Sequence, residues 1–127
     1  ARDELRVVAD QYGCPTDAQA LSDFILGAAP RWTDAAAGDE AFGLFHFTNA
    51  GVASRHDLAA AALARDPSTR ARLSPIAKRD FPEPAARPLN GALDNGRVSA
   101  VFGWQAEPWA PAVARAADQM IAEGLDA

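Results

Sequence analysis

The apolar and polar positions of this chain alternate in short blocks separated by Gly, Pro and Asp. Val7 and Val8 predict a buried strand over residues 5–9, because β-branched side chains suit a pleated surface. Gly13 and Pro15 then mark a turn. Thr16, with Gln19 three residues on, has the spacing of a capping box and predicts a helix over 17–29. Leu21, Phe24, Ile25 and Ala28 recur at helical spacing on one face of it, and Pro30 is expected to end it. Residues 33–41 read as a small polar loop. Phe42-Gly-Leu-Phe-His-Phe-Thr48 alternates like an aromatic-rich strand, closed by the turn Asn49-Ala50-Gly51.

Further along, Ser54 predicts the cap of a helix over 55–65, with Asp57 in its first turn. Leu58, Ala61, Ala62 and Leu63 give that helix a narrow face of mostly small residues. Residues 73–77 predict a weak strand, weakened by Pro75. Pro82, Pro84 and Pro88 make 80–90 a stiff extended loop, and Ala92-Leu93 a short strand. Asp94 is placed to cap a helix over 95–102 that Gly103 closes. The last helix is expected over 109–122, with Pro111 tolerated in its first turn and Gly124 after its end. Its predicted core face is Val113, Ala116, Ala117, Met120 and Ile121. Short strands between amphipathic helices make the fold class α/β, in one small domain over 1–127.

Composition narrows the function classes. A chain of 127 residues, 49% hydrophobic, supports one ordinary core. A net charge of −5 argues against nucleic-acid binding. Residues 65–97 run against that balance, with 7 basic and 4 acidic groups, and hint at an anionic ligand. Cys14 is the only cysteine, which fits a reducing cytoplasm. No apolar run is long enough for a membrane helix. The chain begins at Ala1 and runs almost at once into a strand, which reads as the start of a fragment.

Catalytic chemistry is missing from the sequence. No two glycines are spaced Gly-x-Gly, so no dinucleotide fingerprint exists. Tyr12 and Lys78 are the only residues of their types, so no Tyr-x-x-x-Lys pair can form. His46, between Phe45 and Phe47, reads as a packed strand histidine, and His56 as a solvated one. Cys14 has no evident base to activate it.

Asp10-Gln-Tyr-Gly-Cys-Pro-Thr16 resembles the Asp-Gln-x-Gly-x-Pro-Thr signature of dTDP-4-dehydrorhamnose reductases, a branch of the extended short-chain dehydrogenase/reductases. Gly43-Leu-Phe-His-Phe47 with Ser54 is similar to a second segment of that family. Arg87-Pro-Leu-Asn90 with Leu93-Asp94 is similar to a third, and Phe102-Gly103 with Trp109 to a fourth. Asn95-Gly96-Arg97 departs from the family, which often has Ser/Thr and Lys there. The resemblance implies a mixed α/β substrate-binding domain whose Rossmann half, with the catalytic pair and the NADPH or NADH site, is absent from this chain. It implies a dTDP-sugar as partner and leaves Mg2+ and a homo-oligomer open for the whole enzyme. Catalytic and cofactor-binding residues are accordingly expected to be none here.

The substrate-binding candidates are Arg87, Gln11 and Asn90. A guanidinium makes forked bonds to phosphate oxygens, which suits Arg87 to a diphosphate. Gln11 reads as bonding either ligand or a neighbouring loop, and Asn90 as bonding the sugar or holding a turn. Asp10 reads as a strand-end residue, Thr16 as a helix cap and Trp109 as a packing anchor. Two other readings stand beside this one: a related nucleotide-sugar epimerase or dehydratase, and a non-catalytic homologue serving as a regulatory interaction module.

Overall fold

The computed structural model describes residues 3–81 and 83–124. It is a small mixed α/β domain. Strand β1 (Glu4–Val8) is followed by β2 (Tyr12–Gly13) and helix α1 (Ala18–Thr33). Then come β3 (Ala53–Ser54), α2 (Arg55–Leu63), β4 (Arg72–Ile76) and a 3-10 turn over Lys78–Asp80. β5 (Asn90–Gly91), α3 (Gly96–Phe102) and α4 (Trp109–Ala122) complete the order. β1 and β4 pair in parallel, Glu4 opposite Arg72 and Val8 opposite Ile76. A second sheet has the order β3-β2-β5, antiparallel on one side and parallel on the other.

Local signals placed several elements. The capping box at Ser54 forms: its hydroxyl accepts from Asp57 N, and the Asp57 carboxylate accepts from Ser54 N, both at 3.0 Å. α4 spans the expected 109–122, β4 lies one residue from its expected place, and Gly103 closes α3.

Other expectations give way. β1 is not buried as a whole; only Val8 is, because among the described residues β4 is its one neighbour and both outer edges stay open. Pro30 does not end α1, which continues to Thr33. The missing Pro30 donor orphans only the Leu26 carbonyl, and Leu26 is exposed, so water can take that place. Thr16 is not the α1 cap. Asp17 is, accepting from Gln19 N at 2.9 Å, while Asp17 N donates to Asn49 Oδ1 at 2.8 Å. The second helix stops at Leu63, and the short strand near 92–93 lies instead at Asn90–Gly91. On α4, Ala112 is buried while Ala116, Met120 and Ile121 are exposed. Its partner α2 is 9 residues long against 14.

The largest departure is residues 42–48, which form no strand. Their hydrogen-bonding groups are taken by side chains from much later in the chain. Arg97 donates to the Phe42 and Leu44 carbonyls at 3.0 and 3.2 Å, its guanidinium lying over Gly43 and 4.5 Å from the Phe45 ring centroid. Asn95 Oδ1 accepts from Thr48 N, and Asn95 Nδ2 donates to Thr48 O. The alternation instead turns Phe45 and Phe47 inward and leaves Leu44 and His46 exposed, so His46 is not a packed strand histidine.

The inward rings build an aromatic hub between α1, α3 and this segment. Phe24 stacks on Phe47 at 5.0 Å and meets Trp32, Phe102 and Trp104 edge-on at 5.5–6.2 Å. Trp32 Nε1 donates to the Ala41 carbonyl at 3.0 Å. Val98, wholly buried on α3, sits in the core.

Candidate functional site

A cavity of about 360 Å3 opens where β2, β3 and β5 meet the start of α2. β2 delivers Tyr12 and the residue before it Gln11, the turn after it delivers Cys14 and Pro15, and the loop before β5 delivers Arg87 and Pro88. Ser54, Arg55 and Leu58 form the opposite wall. The lining is mainly apolar, with guanidinium groups at Arg55 and Arg87.

Gln11 is 7% exposed. Its Nε2 donates to the Pro88 carbonyl at 3.0 Å, 77 residues away, and so ties β2 to the proline-rich loop. Its Oε1 is buried and accepts nothing from the described residues. A buried amide oxygen without a donor is costly, which makes it a receptive point for a ligand N–H or O–H.

The cations gather on one carboxylate. Glu83 lies 2.9 Å from Lys78 Nζ, 3.4 Å from Arg55 Nη1 and 3.5 Å from Arg87 Nε. The hydrogen bond from Lys78, and the charges of Arg55 and Arg87, hold the Glu83 carboxyl below its ordinary range. Asp10 helps to set this group: its Oδ1 accepts from Lys78 N at 2.6 Å, fixing the 3-10 turn against the end of β1. Three cations on one anion leave the wall positive, in a chain whose net charge is negative.

The structure thus brings Gln11 and Arg87 to one cavity. Asn90 stands at its edge, opposite Tyr12 and next to the lining residue Gly91, with its Oδ1 accepting from Ala92 N at 3.0 Å. Thr16 donates to the Cys14 carbonyl at 3.3 Å. The Cys14 thiol faces the Leu93 carbonyl at 3.8 Å, and His56 lies 4.0 Å from Asp57. Trp109 packs on Gly51. Sequence reasoning missed Arg55, Lys78 and Glu83. The basic excess over 65–97 pointed to the neighbourhood of two of them, and nothing in the sequence pointed to Arg55.

α1 and α2 have their first amides occupied by Asp17 and by the Ser54–Asp57 pair, so neither offers an open N-terminus to a pyrophosphate. Among the described residues no three His, Cys, Asp or Glu side chains converge as metal ligands. No described helix is long and apolar enough to cross a membrane. A second cavity of about 360 Å3, between α1 and α3, is walled by Phe24, Phe102 and Trp104, and its Arg31 is already paired with Asp39 at 2.6 Å.

Comparison with known proteins agrees with this architecture. A dTDP-4-dehydrorhamnose reductase from Burkholderia thailandensis is 36% identical over 120 residues, covering 88% of this chain and 40% of that protein. One from Sinorhizobium fredii is 33% identical over 128 residues, covering 98% and 43%. The crystal structure of a dTDP-4-dehydrorhamnose reductase from Clostridium acetobutylicum superposes with a TM-score of 0.80 at 27% identity, covering 94% of this chain and 40% of that one. That from Bacillus anthracis, in complex with NADP, shares the fold with a TM-score of 0.72 at 23% identity, over 90% of this chain and 37% of that one. The chain therefore spans about two fifths of the length of these relatives. The family model for the RmlD substrate binding domain matches residues 1–122, and the chain belongs to that family.

Proposed function

We propose that this chain is the nucleotide-sugar grip of a dTDP-4-dehydrorhamnose reductase, and that the β2–β3–β5 cavity holds the dTDP-sugar. One observation carries the reading: Gln11 and Arg87, far apart in sequence, meet at a single cavity with an unpartnered buried oxygen and a positive wall. The apolar lining suits a flat base or sugar ring, and the guanidinium of Arg87 suits a phosphate oxygen. The prolines beside Arg87 limit the entropy lost when the loop is ordered around ligand. Asn90 adds a polar group at the rim, for a sugar hydroxyl.

In the whole enzyme a further domain would supply NADPH or NADH and the proton donor that reduce the C4 ketone to dTDP-L-rhamnose. Any Mg2+ would also belong outside the groups described above. This chain's share is orientation, which raises a rate by holding the reacting carbon in place and needs no acid or base of its own.

Calorimetric titration with dTDP tests the reading. Saturable one-site binding that weakens by about 1–3 kcal/mol in Arg87→Ala supports it. Absence of binding to dTDP, or equal binding by Arg87→Ala, overturns it.

A further inference from the structure

The cation cluster goes further than Arg87. Resting on the nucleotide-sugar reading, we propose that Arg55 is a second phosphate-binding residue, and that Arg55 and Arg87 together select a diphosphate over a monophosphate. Arg55 stands where α2 begins, beside the capping Ser54, and lines the cavity wall across from the proline-rich loop. Arg55 and Arg87 come from separate segments, yet each lies within 3.5 Å of the same Glu83 carboxylate.

The three contacts of Glu83 are unequal. Lys78 is close, at 2.9 Å, and its side chain is 17% exposed. Arg55 and Arg87 are looser, at 3.4 and 3.5 Å, and their side chains are 45% and 58% exposed. Lys78 therefore keeps an ion-pair contact with Glu83 Oε2 when the arginines turn away. Each guanidinium carries five N–H donors, and Glu83 engages few of them. Glu83 thus holds two phosphate-sized forks side by side in the unliganded cavity and can release both to a ligand. One phosphate group reaches one fork; a second phosphate is needed to reach the other. Two arginines facing a diphosphate also balance its charge, whereas a monophosphate leaves one of them unused.

Gln11 lines the same cavity, and its buried Oε1 has no donor among the described residues.

The test compares dTDP, dTMP and thymidine by titration calorimetry on the 127-residue chain, with Arg55→Ala, Arg55→Lys and Arg79→Ala. Arg79 is exposed, lies outside the cavity and controls for the loss of one positive charge. The expected result is that Arg55→Ala weakens dTDP by about tenfold or more but dTMP by less than about threefold. Arg55→Lys should recover part of the dTDP affinity, and Arg79→Ala should match the parent chain. Melting curves check that Arg55→Ala stays folded. If the parent chain binds dTDP and Arg55→Ala binds it equally well, or loses dTDP and dTMP alike, the selection role is overturned while the nucleotide-sugar reading stands. If the parent chain binds none of the three ligands, both fall together.

Discussion

The molecule has two centres built on opposite principles. The aromatic hub joins Phe24, Trp32, Phe47, Phe102 and Trp104 by ring-on-ring contact, with few polar demands. The cavity between β2, β3 and β5 is held by three two-residue strands, one glutamine and a cluster of charges. Ring packing excludes water and stabilises by area and dispersion. Exposed ion pairs do little for stability but keep their charge available to a ligand. The hub should therefore govern whether the chain folds, and the cavity what the folded chain holds.

The sharpest way to break that division is Phe24→Ala. Phe24 touches four other rings, so its loss should cost about 3–4 kcal/mol of unfolding free energy, read from urea titrations. The dTDP affinity of the fraction still folded should not change. A specific loss of affinity at retained stability would show that the hub shapes the cavity. Arg87→Ala is the mirror experiment. It should lower dTDP affinity by about 1–3 kcal/mol while the urea midpoint stays within about 0.5 kcal/mol of the parent chain. A large drop in stability would place Arg87 in the framework rather than at the ligand.

Ser54→Ala tests the division within the cavity wall itself. The serine is buried and caps α2, and Arg55 follows it. Its loss should cost about 1 kcal/mol of stability and also weaken dTDP binding, since the cap sets where the Arg55 backbone sits. Intact binding would show that Arg55 finds its place without the cap.

The smallest effect is expected from acid. The hydrogen bond from Arg115 holds the Asp17 carboxyl below its usual 3.8. Its folded value is depressed, so the stability it contributes is present above the unfolded value and disappears as pH falls through the folded one. Urea midpoints should drop as pH falls below the usual carboxylate value, and less so in Asp17→Asn. The drop should persist in part, because Arg31 and Arg65 hold Asp39 and Asp118 low by hydrogen bonds, and the Ser54 backbone and hydroxyl hold Asp57 low. An identical acid profile for Asp17→Asn would remove this ion pair from the account.

How much of this was legible in the sequence follows from the range of each signal. The Ser54 capping box, the α4 boundaries and the β4 strand are written within a few neighbouring residues, and the structure has them there or one residue away. Residues 42–48 carry a strand-like alternation, but Arg97 and Asn95, about fifty positions later, take the backbone groups that a neighbouring strand would have used. The Thr16–Gln19 spacing was a valid capping pattern that lost to Asp17 one residue on, because Asn49 holds the Asp17 amide. Motif resemblance singled out Gln11 and Arg87. It could not supply Arg55, because the Glu83 contact that draws it to the site crosses 28 residues and leaves no pattern in either segment.

Gly51 carries a consequence for the ligand it never meets. Its φ is +92°, and a Cβ there would come within 3.0 Å of Trp109 Cδ1, so any larger residue is opposed by backbone and neighbour alike. The Trp109 amide, 3.0 Å from the Ala50 carbonyl, and the Ala50 amide, 2.8 Å from the Glu107 carbonyl, clamp this corner to the root of α4. Two residues later the chain enters β3 and the cavity wall. The aim of the guanidinium at position 55 is thus inherited from an indole on the far side of the corner, and a methyl group added at Gly51 would mistune recognition from a distance.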